Sequence, residues 1–146
     1  MIPNFNDIGN LPAGMHQATW EEFYERFGYT PHRRKLLDGL ELAMRQLRDV
    51  GCKCIWVDGS FVTAKERPGD YDACFLEDGM DDWPIIELKT CFLDSTSERQ
   101  LKRYGGEFFS STLIVGSDDK IPRRKYLEYF QSDDDDIPKG IIEIRL

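Results

Sequence analysis

Two aspartates separated by one residue are the part of the chain with the clearest potential for chemistry. Asp70 and Asp72 follow a Pro68-Gly69 turn and begin a run of strand-forming residues. Because side chains at i and i+2 of a strand point to the same face, the two carboxylates should project together. Adjacent carboxylates repel each other unless a cation lies between them, and Mg²⁺ prefers oxygen ligands from carboxylates and substrate phosphates. A solvated aspartate pair at the start of a strand is the alternative interpretation.

A second motif lies just upstream, where an apolar, β-favouring run from Lys53 to Val57 ends at Gly59-Ser60. Gly59 would let the backbone approach a phosphate with no side chain in the way. Ser60 and the backbone N–H groups of a following helix could donate hydrogen bonds to phosphate oxygens. A strand-to-helix turn capped by Ser60 explains the same residues, and both roles are compatible.

Together, these motifs resemble the signature of the DNA polymerase β-like nucleotidyltransferase superfamily. The matching residues are Gly59-Ser60, a gap, and Asp70-Tyr71-Asp72. Nearly the whole chain also resembles an uncharacterised bacterial and phage family assigned to that fold, in stretches that include PHRRKLLDGL, VDGSFVTAKERPGDYDAC, LKRYGGEFF and PKGIIEIRL. The resemblance implies a nucleotidyltransferase-like fold, phosphates held at Gly59-Ser60, and two Mg²⁺ ions bound by Asp70 and Asp72.

The resemblance also implies a third carboxylate from a later strand. Asp94, after a strand candidate from Thr90 to Leu93, matches this position best and would help to bind metal and to activate the nucleophile. Its alternative role is to cap the helix expected after Ser95-Thr96-Ser97.

Small antitoxin members of the superfamily carry Ala-Arg-Gly after Gly-Ser, where this chain has Val62-Thr63-Ala64-Lys65. Lys65 is therefore the expected substitute that neutralises the triphosphate, and Arg67 lies nearby. Flexible loop charges are the alternative interpretation. Asp58 is expected to be structural.

The function implied by the resemblance is metal-dependent transfer of a nucleoside monophosphate, with AMP from ATP as the expected case, to a protein or RNA acceptor. The expected setting is a toxin–antitoxin or phage-defence system, and a macromolecular acceptor would come from a partner chain. In such reactions, the protein supplies positioning and charge neutralisation. A non-catalytic nucleotide-sensing or interaction module that kept the fold is the rival interpretation, and nucleotide hydrolysis without an acceptor is a third.

Composition indicates one acidic domain. The chain has 146 residues, with 40% hydrophobic and 32% charged residues, as in an ordinary globular protein. Its net charge of -8 argues against general binding to DNA or RNA backbones, which needs a basic surface. Three basic clusters are candidate local patches, each with a solvated helix face as the alternative: His32-Arg33-Arg34-Lys35, Arg99 with Lys102-Arg103, and Arg123-Arg124-Lys125.

Neither a membrane span nor an export signal is recognisable in the sequence. No apolar run approaches the roughly 20 residues that a span needs, and MIPNFNDIGNLPAGM lacks a basic region followed by an apolar one. We therefore expect a cytoplasmic protein with no membrane partner. The cysteines are expected to be reduced, buried thiols: Cys52, Cys54, Cys74 and Cys91. Zinc at Cys52-x-Cys54 is the alternative, although a second pair is missing.

The predicted elements form a single α/β (α+β) domain with a mixed sheet and helices mainly on one face. Residues 1–15 are expected to be an irregular arm. A capping box at Thr19 to Glu22 opens a helix that ends at Phe27, and Thr30-Pro31 opens a core-facing helix that ends at Gly51. A strand is expected from Asp70 to Leu76.

The second half is less regular in pattern. Pro84 to Leu88 is either a strand or a turn, and a helix is expected to end at Tyr104 before Gly105-Gly106. Thr112 to Val115 is either a strand or a buried loop, and it is followed by a helix at Pro122 to Phe130. Ser132 to Asp136 is an acidic connector that is solvated or holds a cation, and a strand is expected at Gly140 to Leu146.

Overall fold

A five-stranded mixed sheet forms the centre of the computed structural model, which describes residues 1–90, 98–115 and 124–146. The strands are β1 (Gly14–Ala18), β2 (Cys54–Asp58), β3 (Tyr71–Phe75), β4 (Gly106–Ser110), β5 (Ile114–Val115), β6 (Arg124–Lys125) and β7 (Gly140–Arg145). The main sheet has the order β1-β7-β2-β3-β4, with β1/β7 and β3/β4 parallel and the other pairs antiparallel. β5 and β6 form a separate antiparallel ribbon.

Within the described residues, five α-helices accompany the sheet: α1 (Trp20–Phe27), α2 (Pro31–Asp49), α3 (Trp83–Lys89), α4 (Glu98–Tyr104) and α5 (Tyr126–Tyr129). The capping box before α1 is confirmed, because Thr19 accepts a hydrogen bond from the Glu22 N–H and the Glu22 carboxylate accepts one from the Thr19 N–H. Thr30 caps α2, and Pro31 is its first residue. Every helix within the described ranges is too short or too polar to cross a membrane.

The two faces of the sheet carry apolar clusters of different size. The larger cluster packs Ile55 and Val57 of β2 against side chains of α1, α2 and α4, such as Phe27, Leu40 and Tyr104. The smaller cluster lies on the other face: Cys54, Trp56, Cys74, Phe130 and Ile141. The alternation along β2 follows from the two-residue period of a strand. The mixed α/β architecture expected from the sequence is therefore confirmed.

The arm predicted for residues 1–15 is partly wrong, because β1 begins at Gly14 and pairs in parallel with β7. The residues of β1 are mostly exposed and do not alternate between apolar and polar types, so the sequence pattern does not indicate a strand there. The segment from Pro84 to Leu88 lies inside α3. Proline is tolerated there because it lies in the first turn of the helix, where no intrahelical N–H bond is lost.

β4 was not predicted, because Gly105-Gly106 was interpreted only as the end of a helix. Gly106 is the first residue of β4, and the ring of Tyr71 occupies the space where a Cβ would lie. The helix predicted from Pro122 is confined to α5 within the described residues and follows β6. Thr90, the first residue of the strand predicted from Thr90 to Leu93, directly follows α3 and is not part of a strand. The other three residues of that predicted strand lie outside the described ranges.

Candidate functional site

Three carboxylates occupy aligned positions on adjacent strands. Asp58 of β2 pairs with Asp72 of β3, and Asp72 pairs with Glu107 of β4. Side chains that are paired in register point to the same face, and neighbouring strands lie about 4.8 Å apart. This face carries the smaller apolar cluster, because Trp56 and Cys74 lie two residues from Asp58 and Asp72. The sheet therefore presents an acidic row at the border of that cluster.

A cleft of about 350 Å³ opens beside the acidic row. Residues from β2 and β3 line one side, and the segment that leads into β7 lines the other: Asp58, Gly59, Ser60 and Asp72, facing Ser132, Asp133 and Lys139. A larger and shallower hollow of about 600 Å³ lies near Gln17, Trp20 and Arg145, and contains none of the predicted site residues. The smaller cleft is therefore the candidate site.

Gly59 is required where it stands. Its φ of 85° and ψ of -171° are rarely adopted by residues with a side chain, and a Cβ there would lie 2.9 Å from Oδ2 of Asp72. Ser60 opens a single 3₁₀ turn, Ser60–Val62, in place of the expected helix. The absence of a side chain at Gly59 therefore leaves room for the Asp72 carboxylate on the neighbouring strand.

Arg33 of α2 holds the loop that follows this turn. Its guanidinium is fully buried and donates hydrogen bonds to the carbonyl oxygens of Phe61 (2.8 Å), Thr63 (3.2 Å) and Lys65 (2.5 Å). The ring of His32 is also hydrogen-bonded to the carbonyl of Pro68. A solvated helix face is thus wrong for Arg33, which fixes the path between Gly59-Ser60 and the aspartates.

An ion pair joins the two sides of the cleft. Nζ of Lys139 lies 3.0 Å from Oδ1 of Asp58, and the two side chains are only 15% and 5% exposed. Burial raises the pKa of Asp58 above its ordinary value, although the Lys139 ammonium opposes this shift. Asp58, for which the sequence favours a structural role, thus forms a buried ion pair and also lines the cleft.

Asp72 has the most perturbed carboxyl group of the acidic row. Burial is the main cause that raises its pKa to about 7, and the charges of Asp70, Asp58 and Glu107 raise it further. The Lys139 ammonium acts in the opposite direction and lowers the pKa of Asp72. Burial and the neighbouring carboxylates therefore disfavour the ionised form of Asp72, and a bound cation would favour it.

The structure brings only part of the predicted site together. Gly59, Ser60 and Asp72 line the cleft, whereas Asp70 lies one residue before β3 and contributes through its charge. The Lys65 side chain is exposed and does not line the cleft, although its carbonyl binds Arg33. Asp94 lies outside the described residues.

Glu107 and Lys139 were missed by the sequence analysis. Glu107 lies in the unpredicted β4 and Lys139 lies just before β7, so neither is near the aspartate motif in the sequence. The predicted acidic connector has a partly structural role, because Oδ1 of Asp133 accepts hydrogen bonds from the N–H groups of Asp135 and Ile137, both at 2.9 Å.

The donors of the acidic row match the chemistry of Mg²⁺, which prefers oxygen ligands and usually relies on one or two carboxylates together with substrate phosphates. Among the described residues, no group of three or more acidic, histidine or cysteine side chains is arranged to hold a metal ion unaided. Asp72, with Asp70 or Glu107, would be the protein's share of such a site, because Asp58 is already paired with Lys139.

Three of the four cysteines are confirmed as buried, free thiols, and Cys91 lies outside the described residues. Burial raises the pKa of Cys52, and burial together with Glu143 raises the pKa of Cys54 to about 12. Zinc binds the deprotonated thiolate, so the free-energy cost of deprotonating these buried thiols would oppose a zinc site at Cys52 and Cys54.

Comparison with known proteins gives one match. The model of the Family of unknown function (DUF6932) matches residues 3–145, which is nearly the whole chain. No curated protein and no solved structure matches the chain significantly.

Proposed function

We propose that this chain, which belongs to the family of unknown function DUF6932, is a Mg²⁺-dependent nucleotidyltransferase that transfers AMP from ATP to a protein or RNA acceptor. The observation that carries the proposal is that the Gly59-Ser60 turn lines the same cleft as Asp72, the central member of a row of three carboxylates. A backbone turn without a side chain, beside carboxylates on a rigid sheet, can receive a triphosphate and its cation together.

Each residue has a proposed role. Asp72 and Asp70 would hold Mg²⁺, with Glu107 or Asp94 as the third carboxylate, and Ser60 would donate to a phosphate oxygen. When bound, Mg²⁺ would neutralise the triphosphate and stabilise the attacking and leaving oxygens. In the reaction, the oxygen of an acceptor hydroxyl would form a bond to the α-phosphorus, and the bond from that phosphorus to the bridging oxygen would break, so that pyrophosphate leaves. The proton of the acceptor hydroxyl would pass to water.

A second candidate function is nucleotide sensing without catalysis. It is favoured by the Lys139–Asp58 ion pair, which engages one carboxylate of the acidic row, and by the exposed position of the Lys65 side chain. In either case, we propose a toxin–antitoxin or phage-defence setting with a separate protein or RNA partner. The resemblance of the Gly59-Ser60 and Asp70-Tyr71-Asp72 motifs to that superfamily supports this setting.

The two functions are separated by label transfer from nucleotides labelled at the α-phosphate, with Mg²⁺, total RNA and the protein encoded beside this one. The parent should label one acceptor, and Asp72→Asn should reduce the rate by about a hundredfold or more, because a metal ligand is lost. The matched control is Asp78→Asn, which alters an exposed loop aspartate.

Binding of MgATP without transfer to any acceptor would favour the sensing module. Transfer that survives Asp72→Asn would place the chemistry elsewhere. If the parent binds no nucleotide, both candidate functions are wrong.

A further inference from the structure

Lys139 differs from the other lysines whose exposure the structure describes, because its side chain is largely buried and only 15% exposed. A lysine ammonium normally stays in water, on a flexible four-carbon stem with three rotatable donors. Here it binds Asp58 at 3.0 Å and lines the same cleft as Gly59, Ser60 and Asp72. The side chain therefore lies within the space that a ligand of the cleft would enter.

The backbone around Lys139 is firmly anchored. Its N–H donates to the carbonyl of Gln131 at 2.9 Å, and the next N–H, of Gly140, donates to the carbonyl of Leu11 at 3.0 Å. The turn supported by Asp133 closes the segment just before it. Because the Cα of Lys139 is held in place, its ammonium moves by rotation of the side chain.

The cleft carries charges of both signs, so binding of a purely anionic or a purely cationic ligand is unfavourable. A bare triphosphate would face the carboxylates of Asp72 and Asp133, whereas a bare cation would face the Lys139 ammonium. A cation and a triphosphate that enter together would satisfy both signs, because the cation would replace the ammonium beside the acidic row, which includes Asp58, while the ammonium pairs with the phosphate. Charge complementarity thus favours a paired ligand over either component alone.

We propose that Lys139 is an internal counter-cation with two partners: Asp58 in the unliganded protein, and the phosphate oxygens of a bound nucleotide. Exchange between these partners makes binding of the divalent cation and binding of the nucleotide depend on each other. This inference rests on the proposed function, because it names the residue that couples the two ligands of that site. A purely structural ion pair would instead affect stability and leave the coupling unchanged.

The test is calorimetric titration of the full chain with Mn²⁺ alone and with a non-hydrolysable MgATP analogue. Lys139→Met should bind Mn²⁺ alone about tenfold more tightly than the parent, and the MgATP analogue about tenfold more weakly. Lys139→Arg keeps the charge and should bind the analogue nearly as the parent does. The matched control is Lys102→Met, which removes an exposed lysine on α4 and should change neither affinity.

Lys139→Met leaves Asp58 buried without its partner and could fail to fold. The double variant Asp58→Asn/Lys139→Met has no such unpaired charge, and it should show the same weakened binding of the analogue. Unchanged binding of both ligands by folded Lys139→Met, or unchanged binding of the analogue by the double variant, would overturn the inference alone. Analogue binding that depends on Lys139, without any label transfer, would support the inference and refute the transferase. A parent that binds no analogue would overturn both.

Discussion

Asp72 lies directly opposite Asp58 in the antiparallel pair of β2 and β3, and on its other side it lies opposite Glu107 in the parallel β4. Like charges in such cross-strand positions are destabilising. The fold therefore retains an unfavourable arrangement that Lys139 offsets only in part, since its ammonium forms its ion pair with Asp58, while burial and the other carboxylates still raise the pKa of Asp72. A bound cation would relieve the remaining repulsion.

Asp72→Asn is expected to make the cation-free protein more stable at neutral pH. The pKa of Asp72 is raised from 3.8 to about 7 in the folded protein, so the folded state binds the proton more tightly than the unfolded state. The stabilisation from this proton is complete below about pH 4 and is lost as the pH rises through 7. Urea unfolding between pH 5 and pH 8 should show that the parent loses about 2 kcal/mol relative to Asp72→Asn.

Asp78→Asn is the control for this measurement, because Asp78 lies in an exposed loop. It should leave the pH dependence of the parent unchanged. An identical pH dependence in the parent and in Asp72→Asn would show that Asp72 is not the titrating group.

Gly59→Ala should destabilise the protein by about 2 to 3 kcal/mol, because alanine rarely adopts a φ of 85° and its Cβ would press on Asp72. Gly69→Ala is a matched control from the same loop region, since a Cβ there meets nothing within 4 Å and its φ is not in the left-handed range. Thermal and urea unfolding would measure the difference. Equal stabilities of the two variants would contradict the required role of Gly59.

Arg33→Lys is expected to cost about 3 kcal/mol, even though the charge is kept. The guanidinium donates to several carbonyl oxygens in fixed directions, and an ammonium leaves some of these buried acceptors unpaired. Arg48→Lys, on an exposed position of the same helix, should be nearly neutral in chemical unfolding. If the two variants were equally stable, the loop from Phe61 to Lys65 would not depend on Arg33.

The buried thiols should not react with maleimide in the folded protein at neutral pH. The pKa of Cys54 is about 12 and the pKa of Cys52 and of Cys74 is also raised, all mainly by burial, so the reactive thiolate is scarce. The measurement uses a Cys91→Ser background, because Cys91 lies outside the described residues. Mass spectrometry should detect labelling only after denaturant is added, and rapid labelling without denaturant would contradict the buried positions.

Features that depend on short stretches of sequence were predictable. The Thr19 capping box and the Thr30-Pro31 start identified α1 and α2, because a cap is formed by residues three positions apart. The apolar run before Gly59 and the turn before Asp70 identified β2 and β3 in the same way. These two strands and the Gly59-Ser60 turn supply one side of the candidate cleft, which was therefore predictable from the sequence.

The other half depends on pairing between distant segments. Glu107 joins the acidic row only because β4 aligns in parallel with β3, and Lys139 reaches Asp58 only because β7 pairs with β2. Arg33 lies next to Arg34 and Lys35, which are exposed. The sequence around Arg33 therefore does not indicate that its guanidinium is buried against a loop thirty residues away. Such positions are set by topology and carry no local signal.

The position of β7 between β1 and β2 has a consequence for how the chain folds during synthesis. Gly14 pairs with Gly140, so the strand that joins the two parts of the sheet is made last. Contacts between residues so far apart in the chain form slowly. Until β7 emerges from the ribosome, β1 has no neighbour in the sheet and Asp58 lacks the lysine that balances its charge. A nascent chain therefore acquires its complete sheet and its charge-balanced cleft in the same late step.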